Sequence, residues 1–364
     1  MPLWAAVTTA VLSDLHVGAV TKHSVAATPR SLAALGERLA GAAHVVLLGD
    51  VLELREAPLG DVLAAAEPLF RVLGEAVGDG RVTIVPGNHD HHLALPLLEE
   101  RRLGGAPELP LEASMPAPAA GPLGLVASWL GGAQLTLAYP GLRLREDVYA
   151  THGHYLDLHN TVPTLECLAV SVLERALGGS PAGGRSPADY EAALAPLYAL
   201  SFSVAQAGHR SRRLTGGASA AVWRRTGASD GRPTLSGRLL AGAVIPAVVA
   251  AVNRAGLGEF RADLSGAALR RAGLAAMTEV AAGLGLEGGH VIFGHTHRSG
   301  PWPGDEAGEW SLRGGGRLLN TGSWVADEAF APSGGGVNPY TPGTCAFVDE
   351  DGPPRLERLL DGAR

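Results

Sequence analysis

Cysteine is almost missing from this chain: Cys167 and Cys345 are the only two in 364 residues. That excludes a disulfide framework and a thiolate zinc site, and it fits a reducing, cytoplasmic setting. Lysine is scarcer still, with Lys22 alone beside many arginines; together with the Ala/Gly richness this reads as genome bias. Positive charge in excess is also absent. Lys+Arg 29 against Asp+Glu 36 leaves a net charge of −7, so no overall field gathers nucleic acid, and stable nucleic-acid binding is not expected. Nor is there an apolar run long enough to span a bilayer. The longest, Leu239 to Val252, contains Pro246 and lies between Arg238 and Arg254, which suits a buried or interfacial helix. The apolar start, Met1 to Ser13, carries no basic leader, and cleavage there would remove what reads as the first core strand. No repeat of fixed period is found. Gly 50 and Pro 25 stay below the level that signals disorder, and 46% hydrophobic residues can fill one large core or two small ones.

What the chain does have is a set of short Val/Ile/Leu runs, each ending in a small group of polar residues able to bind metal. Val7 to Ser13 runs into Asp14 and His16, and Val45 to Leu48 into Gly49-Asp50. Val82 to Val85 runs into Pro86-Gly87-Asn88-His89-Asp90, Val148 to Thr151 into His152-Gly153-His154, and Val291 to Phe293 into Gly294-His295-Thr296-His297. Helical patterns over Ser31 to Ala42 and Leu59 to Val77 separate the early strands, so this part reads as alternating β and α. Ligands of such sheets bind outside the carboxyl ends of the strands, where all five groups fall.

Further strands are expected over Gln134 to Tyr139, Asp147 to Thr151, Trp310 to Asn320 and Thr344 to Val348, whereas Pro107 to Gly132 reads as an irregular connection or a poorly packed flap. The stretch between His154 and His295 is far too long for a loop and is mainly helical in pattern, with a Gly/Ser-rich break at Gly178 to Ser186. The expected organisation is a core of residues 1–155 and 288–364 with a helical cap inserted over 156–287.

First-row divalent metals take carboxylate oxygens and imidazole nitrogens, and two of them close together need a shared carboxylate. Asp14 and His16, two apart at a strand end, can face one metal while Leu15 turns into the core. Asp50 is free to bridge, Asn88 offers a neutral carbonyl, and His152, His295 and His297 complete the set. The ligand mixture favours two Mn²⁺ ions, with Fe or Zn as alternatives.

The ordered motifs SDLH, GDVLE, GNHD, THGH and GHTH resemble those of the calcineurin-like metallophosphoesterases. The resemblance implies an αββα sandwich for the core. It places one metal on Asp14, His16, Asp50 and His297 and a second on Asp50, Asn88, His152 and His295. It makes His89 an acid near the leaving group, oriented by Asp90. The implied activity is hydrolysis of a phosphoester or pyrophosphate bond, with a metal-bridging hydroxide attacking phosphorus in line. Glu53, the pair His152-Gly153, the run Asn320-Thr321-Gly322-Ser323-Trp324 and the helical insertion are similar to the branch that includes the UDP-2,3-diacylglucosamine pyrophosphatases.

Outside these motifs the readings divide. Arg210, Arg212 and Arg213, with Arg224 and Arg225, are either guanidinium forks for a second anionic group or a solvated helix face. His159 is a candidate substrate contact. His91, His92 and His154 read as helix-start or loop residues, and His23, His44, His209 and His290 as surface or satisfied ones. An apolar wall beside arginines would suit a lipid-like or nucleotide-linked substrate and would allow peripheral membrane contact through the cap. The rival functions are a nuclease or cyclic-nucleotide phosphodiesterase on the same core, and a binding protein without catalysis; the latter would be expected to lack a ligand, and none is missing. Nothing in the sequence sets the oligomeric state.

Overall fold

The computed structural model describes residues 9–106, 108–162, 167, 185–207, 245–254, 260–263, 265–327 and 336–361. In chain order the strands and helices before the long insertion are β1 (Thr9–Leu12), β2 (His23–Ser24), α1 (Pro29–Arg38), β3 (His44–Leu48), α2 (Leu59–Val77), β4 (Arg81–Val85), α3 (Leu95–Leu103), β5 (Ala113–Pro116), α4 (Gly121–Trp129), β6 (Gln134–Tyr139), β7 (Gly141–Arg145) and β8 (Val148–Thr151). Among the described residues three helices follow, α5 (Pro187–Gln206), α6 (Ile245–Arg254) and α7 (Gly266–Gly283), and then β9 (His290–Phe293), β10 (Leu318–Asn320), β11 (Val325–Ala326), β12 (Thr344–Val348) and β13 (Arg355–Arg358).

Two sheets carry the fold. One has seven strands in the order β13-β12-β1-β3-β4-β6-β5 and the other four, β10-β9-β8-β7. Strands β1, β3, β4 and β6 are mutually parallel, as are β8, β9 and β10. Strands buried on both faces carry unbroken apolar runs instead of alternation, and HVVLL of β3 and RVTIV of β4 show this. The two faces then pack in different places. Ala10, Leu12, Leu47 and Ile84 meet Leu35 of α1, Phe70 and Leu73 of α2 and Val126 of α4. Their alternates Val11, Val46, Leu48 and Val85 meet Val148, Ala150, Ile292 and Leu319 of the four-stranded sheet. The far face of that smaller sheet, through Tyr149, Val291 and Phe293, packs on Tyr190 and Leu194 of α5 and on Leu274, Met277 and Val280 of α7.

Helix α2 spans the residues its apolar periodicity marks, with Val62, Ala66, Leu69, Phe70 and Leu73 buried on one face. Pro107 to Gly132, expected to be irregular, instead holds β5 and α4. Helix α4 is nine residues with Gly121, Pro122 and Gly124 in its first turn, so it shows little period. Docking of Leu123 and Val126 on the core stabilises it where propensity does not. The described part of the Leu239 to Val252 run forms α6. Helices α5 and α7 lie within 156–287 and cover the smaller sheet. No helix among the described residues is long and apolar enough to cross a membrane.

The parallel strands bring five chain segments to one edge. There the backbone of Asp14 donates to Gly49 O at 3.0 Å, His16 to Asp50 O at 2.7 Å and Gly294 to His152 O at 2.9 Å.

Candidate metal centre

Backbone conformation singles out the same residues as the sequence pattern. Among the described residues, five that are not glycine have left-handed φ: Asp14 (53°), His16 (45°), Asp50 (51°), His295 (66°) and His297 (58°). Such a conformation costs free energy and persists where the surroundings over-determine it, commonly at functional sites. Here it turns each side chain off its strand end into a common space. Glycine makes room beside them: a Cβ at Gly87 would strike Asp50 and His152, and one at Gly294 would strike Asp14.

The side chains form two donor groups joined at Asp50. Asp14, His16 and His297 converge, as do Asp50, His152 and His295, and His16, Asp50 and His89 form an overlapping third. In the first group His297 Nε2 lies 3.3 Å from Asp14 Oδ1 and 3.0 Å from His16 Nε2. In the second, His152 Nε2 lies 3.4 Å from Asp50 Oδ2 and 3.3 Å from Asn88 Oδ1. His16 Nε2 lies 3.6 Å from Asp50 Oδ2, which links the two.

These atoms fit a cation better than they fit one another. Asp14 is fully buried and its Oδ1 accepts no hydrogen bond, although Oδ2 accepts from Ser13 Oγ at 2.6 Å and from the His295 amide at 2.9 Å. The Asn88 carbonyl oxygen faces only acceptors: Asp50 Oδ2 at 3.3 Å, His295 Nδ1 at 3.2 Å and His152 Nε2 at 3.3 Å, while its amide nitrogen lies 3.0 Å from Arg55 Nη1. Hydrogen bonding alone would turn that amide over; a cation among the four acceptors favours it as it stands. Residues that reach the rings from behind set which nitrogen faces inward. Leu48 O takes His152 Nδ1 at 3.0 Å, Glu53 Oε2 takes His16 Nδ1 at 2.8 Å, and Asp157 Oδ1 takes His295 Nε2 at 2.9 Å.

His89 enters from the side. Its amide donates to Asp50 Oδ1 at 2.8 Å, its Nδ1 meets Glu53 Oε1 at 2.6 Å, and its Nε2 is 3.5 Å from Arg55 Nη1 and 3.9 Å from Asp50 Oδ2. The expectation that Asp90 orients this ring is corrected. Asp90 accepts the amides of Asp50 (3.2 Å), Val51 (2.8 Å), Leu52 (3.3 Å) and Gly87 (2.7 Å), so it braces the loops after β3 and β4, and the carboxylate on His89 is Glu53. A residue adjacent in sequence points elsewhere, while one from the neighbouring strand end reaches the ring.

Charge in the cluster is balanced internally. Burial alone would raise the Asp50 carboxyl, but His152, His89 and His16 hold it well below the usual range; at Asp14, His152 and His297 likewise outweigh burial. Burial would lower His152, yet Asp50 and Asp14 raise it to about 10. Burial pushes His89 well below the imidazole range against the pull of Asp50, with Arg55 and Lys22 adding to the fall. Burial, and then Asp50, raise Asp90 to about 6.

The other expected site residues are placed differently. Arg210, Arg212 and Arg213 lie outside the described residues. His159 Nε2 meets the Tyr190 hydroxyl at 2.7 Å. His91 and His154 belong to a separate buried network: Glu191 Oε1 meets His91 Nε2 at 2.8 Å, Glu191 Oε2 accepts from Tyr139 at 2.7 Å, and the Tyr139 hydroxyl is 3.3 Å from His154 Nε2. Sequence reasoning gave no role to Arg55 or Asp157, and Glu53 only a place in GDVLE. Nothing in their spacing marks the first two, because the fold alone brings them to the ligand rings.

No protein-family model matches the chain. No curated protein matches it in sequence. Among solved structures it is similar to a dimetal phosphatase from Danio rerio, with 11% identity and a TM-score of 0.36 over 95% of this chain and 94% of that one.

Proposed function

We propose that this chain is a hydrolase of phosphoester or pyrophosphate bonds that works with two divalent cations. The observation that carries the reading is the convergence of buried atoms able to bind a cation: Asp14 Oδ1, which accepts no hydrogen bond, Asp50 Oδ2, the Asn88 carbonyl and nitrogens of His16, His152, His295 and His297. Asp14, His16 and His297 would hold one ion and Asn88, His152 and His295 the other, with Asp50 between them. Ions so held would supply the Lewis acidity and charge neutralisation that phosphoryl transfer needs. Mn²⁺ is the ion proposed, because the donor set mixes carboxylate, amide and imidazole.

His89 is the group proposed to serve the leaving oxygen. Glu53 fixes its Nδ1, leaving Nε2 toward the cluster. A buried neutral ring gains a proton when an anionic phosphoryl group comes beside it, which suits a donor that acts only with substrate bound. The helices outside two sheets that meet face to face support a four-layer αββα core, and residues 156–287 are proposed as its insertion. A lipid-like or nucleotide-linked substrate, with peripheral membrane contact through that insertion, remains part of the proposal.

A screen of Mn-loaded protein against phosphomonoesters, phosphodiesters and pyrophosphates tests the reading. Metal-dependent release of phosphate or nucleotide from one class is expected, with loss in Asp50→Asn. Cleavage of nucleic acid or a cyclic nucleotide alone would favour the rival enzyme, and binding without turnover in every class would contradict the assignment.

A further inference from the structure

We propose that Asp157 is a positioning residue for this centre: its carboxylate fixes the ring of His295 so that Nδ1, and not Nε2, is the nitrogen offered to a divalent cation. The inference rests on the two-cation reading above.

Three observations carry it. Asp157 Oδ1 lies 2.9 Å from His295 Nε2, which places the ring proton on Nε2 and leaves Nδ1 with its lone pair 3.2 Å from the Asn88 carbonyl oxygen. The His295 backbone is already held, left-handed at φ 66° and donating to Asp14 Oδ2 at 2.9 Å, so rotation of the ring is the freedom left to fix. Asp157 itself is built to arrive there. It lies in the short helical turn His154–Leu158, entered through Gly153 at φ 101°, where a Cβ would stand 3.2 Å from the Phe293 ring. That turn directly follows His152 at the end of β8 and sets Asp157 beside His295 at the end of β9.

Each inward nitrogen of the second ion's histidines thus has a fixed partner behind it, Leu48 O for His152 and Asp157 for His295. An outer acceptor of this kind orients the imidazole and raises its basicity, and losing one commonly costs about 10–100-fold in metal affinity.

Calorimetric titration with Mn²⁺ tests this on the full chain, together with long-range ¹H–¹⁵N spectra of the histidine rings in metal-free protein. In the wild type, at a pH high enough for the ring to be neutral, His295 should show one tautomer, protonated at Nε2. Asp157→Ala should weaken one of two Mn²⁺ equivalents by about 10–100-fold and give averaged ring shifts. Asp157→Asn, which keeps an acceptor oxygen, should recover most of both. Asp157→Ala should add nothing in a His295→Ala background. Unchanged binding and spectra in Asp157→Ala, or an equal loss in the His295→Ala background, would overturn the inference. A wild type that binds no Mn²⁺ would overturn the two-cation reading instead, and the ring spectra would still decide whether Asp157 holds His295.

Discussion

Among the described residues two groups of histidines are buried side by side, the His154 ring of one 5.6 Å from the His152 ring of the other, and their carboxylates are used differently. Around Glu191 each carboxylate oxygen meets a partner, His91 on one side and the Tyr139 hydroxyl on the other, and the rings of His91 and Tyr198 pack at 5.1 Å. Around Asp50 acceptors face acceptors, and five of the residues are held in left-handed backbone. Burial and histidine content are shared by both. The difference lies at the carboxylates: both oxygens of Glu191 are paired, although His154 Nδ1 and the Tyr198 hydroxyl there have no partner, whereas Asp14 Oδ1 accepts nothing and the Asn88 carbonyl faces acceptors, an arrangement a cation would satisfy.

The largest expected effect falls on the shared carboxylate. Mn²⁺ is expected to raise the Tm of the wild type, by an amount worth about 3–4 kcal/mol when the ion is at 100–1,000 times its Kd, and Asp50→Asn should abolish that rise. Differential scanning calorimetry with and without the ion reads this. His89→Ala comes next. It should leave that rise nearly intact while kcat falls by roughly 10²–10⁴-fold, and less for a nitrophenyl leaving group than for an alkyl one. Equal losses for both leaving groups would make His89 a substrate-positioning residue.

Much of this contrast is legible in the sequence, though not all. Strand ends carrying Asp14, Asp50, Asn88, His152 and His295 announce themselves because short apolar runs stop at polar residues, and a parallel sheet aligns such ends. Partners that arrive through tertiary packing leave no such trace. Asp157 sits in a turn with no periodicity, and Glu191 reaches His91 from a helix 100 residues away. Adjacency misleads as well, since Asp90 follows His89 yet binds backbone amides. Helix α4 and strand β5 were illegible because glycine and proline there mask elements that packing stabilises.

The group around Glu191 should respond to mutation without regard to the metal. Glu191→Leu strips the acceptors from two buried donors and should cost on the order of 1–3 kcal/mol for each one left unpaired, lowering Tm equally with and without Mn²⁺. A change in the metal-induced rise would show that the two groups are coupled. The smallest effect belongs to a histidine in neither group. His44, against Thr83 Oγ1 at 2.8 Å, is lowered by burial, and then by Arg81, to about 4. Between that value and the ordinary 6.5 the unfolded chain binds a proton the folded one refuses. Stability therefore falls as pH drops from about 6.5 to 4 and is unaffected above. Denaturant unfolding should show His44→Gln flattening that limb by roughly 1–3 kcal/mol.

Elemental analysis of protein reconstituted with Mn²⁺ and freed of excess ion tests the central claim most directly. Two equivalents per chain are expected in the wild type and in Glu191→Leu, with both lost or weakened in Asp50→Asn. One equivalent or none in the wild type, or two in Asp50→Asn held as tightly as before, would contradict a centre in which Asp50 joins two ions.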